Sequence, residues 1–356
     1  VSLFGLLSVL NTCRHYLDNR NTSIEHFAGI LGEMLRKNYL PDEIIEFIRY
    51  HVQKNKLNGQ QTIVLKTFHT MLKAGMTFYC NTKMANILEC ELTVFANMLE
   101  MLNIYEVRKE IKVEFQSFFV NYIASYSENR NVVLNMANFC LGNIDLSGAY
   151  LGNTVLVGAD IARADIAGAD MRGAHLTGAN LTGADLTRVN LKGANLAIAN
   201  LTRANLTRVY LAEADMEGAD LTRADLARAN LAGANLAIAN LTRANLTRVY
   251  LAEADMEGAD LTRADLARAN LAGANLAIAN LTRANLAGAN LTRANLPRAD
   301  LTGADLTGAN LTSANLAGAN LTSANLAGAN LTGVNLEEVN LEGANLEGTI
   351  LHRNNL

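Results

Sequence analysis

From Leu141 onward the chain places an apolar residue at every fifth position, through Leu146, Leu151, Leu156, Ile161, Ile166 and Met171 to Leu351 and Leu356. A period of five matches neither the turn of an α-helix nor the alternation of a flat strand, so this segment must coil as a solenoid. Residues 201–240 then recur letter for letter at 241–280. Forty residues are eight whole pentads, so the copy lengthens a solenoid without disturbing its pattern.

Within each pentad the Leu is preceded by Asn or Asp, and that residue by a small one, usually Ala; after the Leu come Thr or Ala and then Gly or Arg. In this form "ADLTG", "ANLTR" and "ANLAG" resemble the pentapeptide-repeat family. The resemblance implies a right-handed quadrilateral parallel β-helix with four pentads per coil, one on each face. It places Leu and Ala inward and the other three residues outward. On this reading Asn and Asp suit the turns between faces, and the 215 residues from Leu141 to Asn355 form almost eleven coils. With stacked strands about 4.8 Å apart, the rod is about 50 Å long.

The ends depart from the consensus. Phe139 and Ile144 occupy small-residue positions, which suggests a widened first coil at a junction, and Pro297 suggests a local bulge. Thr349, Ile350 and Asn354 break the pattern at the other end, so Leu341, Leu346, Ile350, Leu351 and Leu356 are expected to form an apolar face for end-to-end dimerisation.

Residues 1–135 differ sharply, holding most of the aromatic residues and reading as helical. "TSIEHFAGILGEMLRKN" opens with a Thr22–Glu25 capping box, and "LPDEIIEFIRYHVQKN" carries Pro41, Asp42 and Glu43 at a helix start. The fold class is therefore α+β multidomain: an all-α domain over 1–135, then the β-helix over 136–356. Cys13, Cys80, Cys90 and Cys140 form no metal or disulfide pattern and suit a reducing, cytoplasmic compartment, with export as an effector left open. His15, His26, His51 and His69 are scattered. No catalytic, cofactor or metal site and no membrane span is indicated.

Aligned every twenty residues, the repeats display their surface in columns. Arg203, Arg223, Arg243, Arg263 and Arg283 share the first face, and Arg188, Arg208, Arg228, Arg248 and Arg268 the next. The remaining faces carry Glu213, Asp215, Glu217 and Asp220, then Glu253, Asp255, Glu257 and Asp260 two coils on. A Thr column from Thr182 to Thr322 reads as β-branched residues favouring a strand. Ile198, Ile238 and Ile278 stack on the fourth face.

This surface is basic on one side and acidic on the other, which favours a non-enzymatic scaffold presenting a charge-polarised rod to a protein partner. Nucleic acid is disfavoured, because aromatic residues are sparse among the arginines and residues 141–356 hold 21 acidic against 16 basic side chains. The family resemblance also implies a DNA-mimicking modulator of a type II topoisomerase, a role that needs a more uniformly acidic rod. A third reading makes the helical domain an effector or enzymatic module that the rod targets.

Overall fold

The computed structural model describes residues 136–137 and 141–350. The helical domain expected over 1–135, and Phe139, Cys140, Leu351 and Leu356, lie outside the described residues. From Leu141 the backbone repeats one motif, a two-residue turn followed by a three-residue extended segment with a parallel bridge at its centre. Each bridge joins residues twenty apart, from Asp145 and Asp165 to Asn325 and Asn345. Four turns per coil make the solenoid four-sided.

The pentad Leu221–Asp225 shows why this sequence adopts that path. The Leu221 N–H donates to the Asn240 carbonyl (2.7 Å), Arg223 N–H to Thr242 (3.0 Å) and Asp225 N–H back to Ala204 (3.0 Å), while Ala224 N–H closes the turn on Leu221 (2.9 Å). The fifth donor, Thr222 N–H, is taken by the Asp220 carboxylate at 2.9 Å. All five backbone donors are thus satisfied, as burial of a solenoid wall demands. The Asn or Asp before each Leu supplies the acceptor that the ladder leaves out.

This geometry revises the expected placement of the outward residues. The Asn and Asp columns run down the middle of the faces, and the residues one and two after Leu form the four edges. The second turn residue of every pentad from Asn143 to Gly348 has φ between 52° and 74°, the left-handed region required there by a type II turn. The Arg columns therefore line edges rather than faces. The Thr column also lies in turns, and its hydroxyls at Thr182, Thr222, Thr282, Thr302 and Thr322 donate to the preceding Asn or Asp carbonyl or carboxylate oxygens at 2.6–2.7 Å. Hydroxyl chemistry, and not strand preference, accounts for that column.

Leu and Ala fill the axis as expected. Leucines from Leu141 to Leu331 are at most 2% exposed, with Met171, Met216 and Met256 equally buried in the same row. Each such Leu contributes about 1.5–3 kcal/mol of burial before its ordering entropy. Ile144 is accommodated at 1% exposure with the twenty-residue register intact. Pro297 forms no bulge: the bridges on either side keep register, and its carbonyl accepts from Ile278 N–H at 2.9 Å. It stands at the one pentad position whose N–H never joins the ladder, and its fixed φ suits the second place of the turn.

Candidate functional site: the four edges of the solenoid

The first edge carries the column Arg203, Arg223, Arg243, Arg263 and Arg283, and the second carries Arg188, Arg208, Arg228, Arg248 and Arg268, all exposed. They flank one face, centred on Asp185, Asn205, Asp225, Asn245 and Asp265. Neighbouring arginines in a column are one coil apart, about 4.8 Å. A shallow groove of about 460 Å³ at the foot of the second column is lined by Gly168, Arg188 and Arg208 among others.

These ten arginines share two properties with Arg163, Arg293 and Arg298. Each of the ten has φ of 58–60°, a conformation that disfavours any residue with a Cβ by about 1–2 kcal/mol and that glycine enters freely. Glycine does occupy it at the ends of the columns, at Gly183, Gly303, Gly168 and Gly288. Moreover, among the described residues none of the ten makes an ion pair or a side-chain hydrogen bond, the ion pairs present being Arg172 with Asp170 and Lys192 with Glu213. The aspartates between the columns are already engaged. Asp225 accepts from Ala227 N–H at 3.0 Å and Asn245 Nδ2 at 2.9 Å, and Asp265 accepts from Asn285 Nδ2 at 2.9 Å. The guanidinium groups stand free in two parallel rows.

The third and fourth edges bound the opposite face. Glu213 and Glu253 lie on the third edge, Glu217 and Glu257 on the fourth, and Asp215 and Asp255 between them. Asp215 and Asp255 hold turns, accepting from Glu217 N–H at 3.2 Å and Glu257 N–H at 3.1 Å. Asp220 and Asp260, around the next edge, likewise hold Thr222 and Thr262. The four glutamates are the more exposed carboxylates of this face, with Glu213 paired to Lys192 at 3.2 Å and Glu257 accepting from Asn275 Nδ2 at 3.3 Å. Tyr210 and Tyr250, 39% and 46% exposed, were not singled out in the sequence; they replace the Asn or Asp of their pentads, and that substitution was the available signal. At the far end Leu341 and Leu346 are half-buried and Ile350 is exposed, unlike the preceding core leucines.

The described residues form a four-sided parallel β-helix with exposed arginines along two edges. Residues 140–178, 167–203, 199–236, 239–276, 279–316 and 314–353 match the family model for pentapeptide repeats, in eight copies. The chain belongs to the pentapeptide-repeat family. Among solved structures it is similar to HetL, a pentapeptide repeat protein involved in heterocyst differentiation regulation from the cyanobacterium Nostoc sp. strain PCC 7120, at 41% identity over 58% of this chain and 90% of that one, with a TM-score of 0.51. It is also similar to the pentapeptide repeat protein Rfr23 from the cyanobacterium Cyanothece 51142, at 52% identity over 26% of this chain and 63% of that one, with a TM-score of 0.25. QnrB1, a plasmid-mediated fluoroquinolone resistance protein, matches at 18% identity over 57% of this chain and 97% of that one, with a TM-score of 0.36. No curated protein sequence matches. Among the described residues no helix is long and apolar enough to cross a membrane, and no cluster of His, Cys, Asp or Glu could hold a metal ion.

Proposed function

We propose that the β-helix is a non-enzymatic interaction scaffold that presents its two arginine edges to an acidic protein partner. The observation that carries this reading is the set of ten exposed, unpaired arginines held in the left-handed turn position. A guanidinium row with a fixed rise acts as a ruler for carboxylates, because each planar fork can bind one bidentately. The topoisomerase reading would need acidity on every side, and these edges oppose it. The apolar end around Leu341, Leu346 and Ile350 is in keeping with end-to-end pairing of two chains, which light scattering tests: a monomer at high micromolar concentration removes that pairing.

The scaffold reading is tested by affinity capture with the full chain and with a variant in which Arg203, Arg223, Arg243, Arg263 and Arg283 are all changed to Gly. A partner held by the first and lost by the second, with capture weakening as salt rises, is the expected result. Equal recovery by both would overturn it.

A further inference from the structure

The fourth edge has a pattern that the arginine edges do not explain. Ile198, Ile238 and Ile278 are 67%, 63% and 55% exposed, and their φ values are 52°, 53° and 53°. A β-branched side chain in the left-handed region is a true outlier, so these positions combine backbone strain with exposed apolar surface. Two coils separate each Ile from the next, and the intervening coils carry Gly218 and Gly258 in the same column. A Cβ at Gly218 would lie 3.4 Å from Ile198 Cγ2 and 4.0 Å from Ile238 Cδ1, and one at Gly258 would lie 3.4 Å from Ile238 Cγ2 and 3.9 Å from Ile278 Cδ1. The isoleucines therefore lean over the glycines and form an unbroken apolar ridge.

The ridge borders the acidic face. The coils that carry glycine in this column carry Glu213, Asp215 and Glu217, or Glu253, Asp255 and Glu257, so apolar and anionic levels alternate. A second copy presenting the same face would oppose these carboxylates to their like. A second copy presenting its arginine face would bring charge, but that face holds Thr, Ala, Arg, Asn and Asp and no large apolar group to cover the isoleucines.

We propose that this ridge and the acidic face beside it dock a basic amphipathic α-helix of a partner protein. Successive isoleucines are two coils, about 9.6 Å, apart. One heptad of an α-helix advances about 10.5 Å, so apolar residues seven apart reach successive isoleucines with a mismatch of about 2 Å over the whole ridge. The residues three and four along lie on the same side of such a helix, about halfway between, where the carboxylates stand. An extended strand returns to one side about every 6.8 Å and falls out of step at the second Ile. A helix with Leu at heptad spacing and Lys or Arg between therefore satisfies both levels at once, in the manner of helix-in-groove recognition.

The test uses the full chain and a fluorescent synthetic helix with Leu at positions 1, 8 and 15 and Lys or Arg at positions 4, 5, 11 and 12, beside a scrambled peptide of equal composition. Anisotropy should show binding of the patterned peptide, at least tenfold tighter than the scrambled one. Changing Ile198, Ile238 and Ile278 together to Gly should weaken it at least tenfold while unfolding stays at or above the parent temperature, and Glu217→Gln with Glu257→Gln should flatten its salt dependence. Equal binding of the scrambled peptide, unchanged binding by the glycine variant, or no binding by the parent would each overturn the proposal. The arginine edges bound the opposite face, so either result leaves the scaffold reading to its own experiment.

Discussion

Replacing the first arginine column with glycine should make this protein more stable while removing five charges. At φ of 58–59°, each Arg bears a penalty of about 1–2 kcal/mol relative to an unstrained turn. Glycine's larger loss of backbone entropy offsets about 0.5–1 kcal/mol of that gain. A net of about 0.6 kcal/mol per position, toward the low end of that difference, gives about 3 kcal/mol for five, with relief of like-charge repulsion in the same direction. The column already contains Gly183 and Gly303, both at φ 65°, so the backbone needs no new path. At about 2–4 °C per kcal/mol for a segment of this length, the unfolding midpoint should rise by about 6–12 °C, read by circular dichroism on heating. An unchanged or lower midpoint would refute the reasoning. It would mean that stacking of aliphatic stems governs instead, since Arg283 Cγ lies 3.6 Å from where a Cβ at Gly303 would be.

Three further outcomes follow from the same wall. Leu236→Ala opens a cavity at a fully buried position, and denaturant unfolding should show a loss of about 2–5 kcal/mol. Asp225→Ala removes the acceptor for Ala227 N–H and Asn245 Nδ2, and should cost about 1–3 kcal/mol by the same assay; Asp225→Asn should restore most of it. The hydrogen bond from the Arg172 guanidinium holds the Asp170 carboxyl below the usual carboxylate range; burial opposes it as the next-largest effect, and the Arg172 N–H and then its charge add smaller support. A lowered folded-state value means that the pair stabilises above the ordinary carboxylate range and loses that contribution as pH falls through the Asp170 value. Arg172→Ala should raise the Asp170 midpoint in an NMR titration, and the stability change should be small because the pair is largely exposed.

The inward half of this structure was legible because burial acts on every pentad alike. Leu221 and Ala224 sit where a five-residue period with two apolar places must put them. The outward half was only partly legible. Counting by twenty found the Arg columns correctly, yet Asp225 looked like a turn residue and proved to be the middle of an extended segment, reaching over the turn to hold Ala227 N–H. Spacing reveals which residues share a column, but not where the corner falls between columns; that depends on which backbone donors the ladder leaves unpaired. Pro297 shows the same gap, since a proline in a strand-like repeat signals a bulge until its N–H is known to be the unused one. The strain at Ile198 was invisible for a related reason: it resides in φ, and the sequence lists only an isolated apolar residue.

Three periods are nested in this chain, and a deletion series separates them. Five residues set what points inward, twenty set which edge a side chain occupies, and forty set the alternation of Ile198, Gly218, Ile238, Gly258 and Ile278. Removing 241–245 keeps the first period alone. Leu246 then follows Asn240 without a break in the core, so melting should change little beyond the loss of one pentad. The downstream columns, however, rotate by one edge: Arg248 and Arg268 continue the first column, while Glu253 enters the second where an arginine stood. Removing 241–280 keeps all three periods and shortens each column by two arginines. If the arginine edges work as a paired ruler, the five-residue deletion should weaken capture of the acidic partner more than the forty-residue deletion does, although it removes eight times less protein. The opposite order would mean that the number of arginines, one lost against four, and not their register, is recognised. Forty residues is the shortest insertion that preserves the core, the edges and the alternation together, which is a physical reason for the duplicated block to have that length.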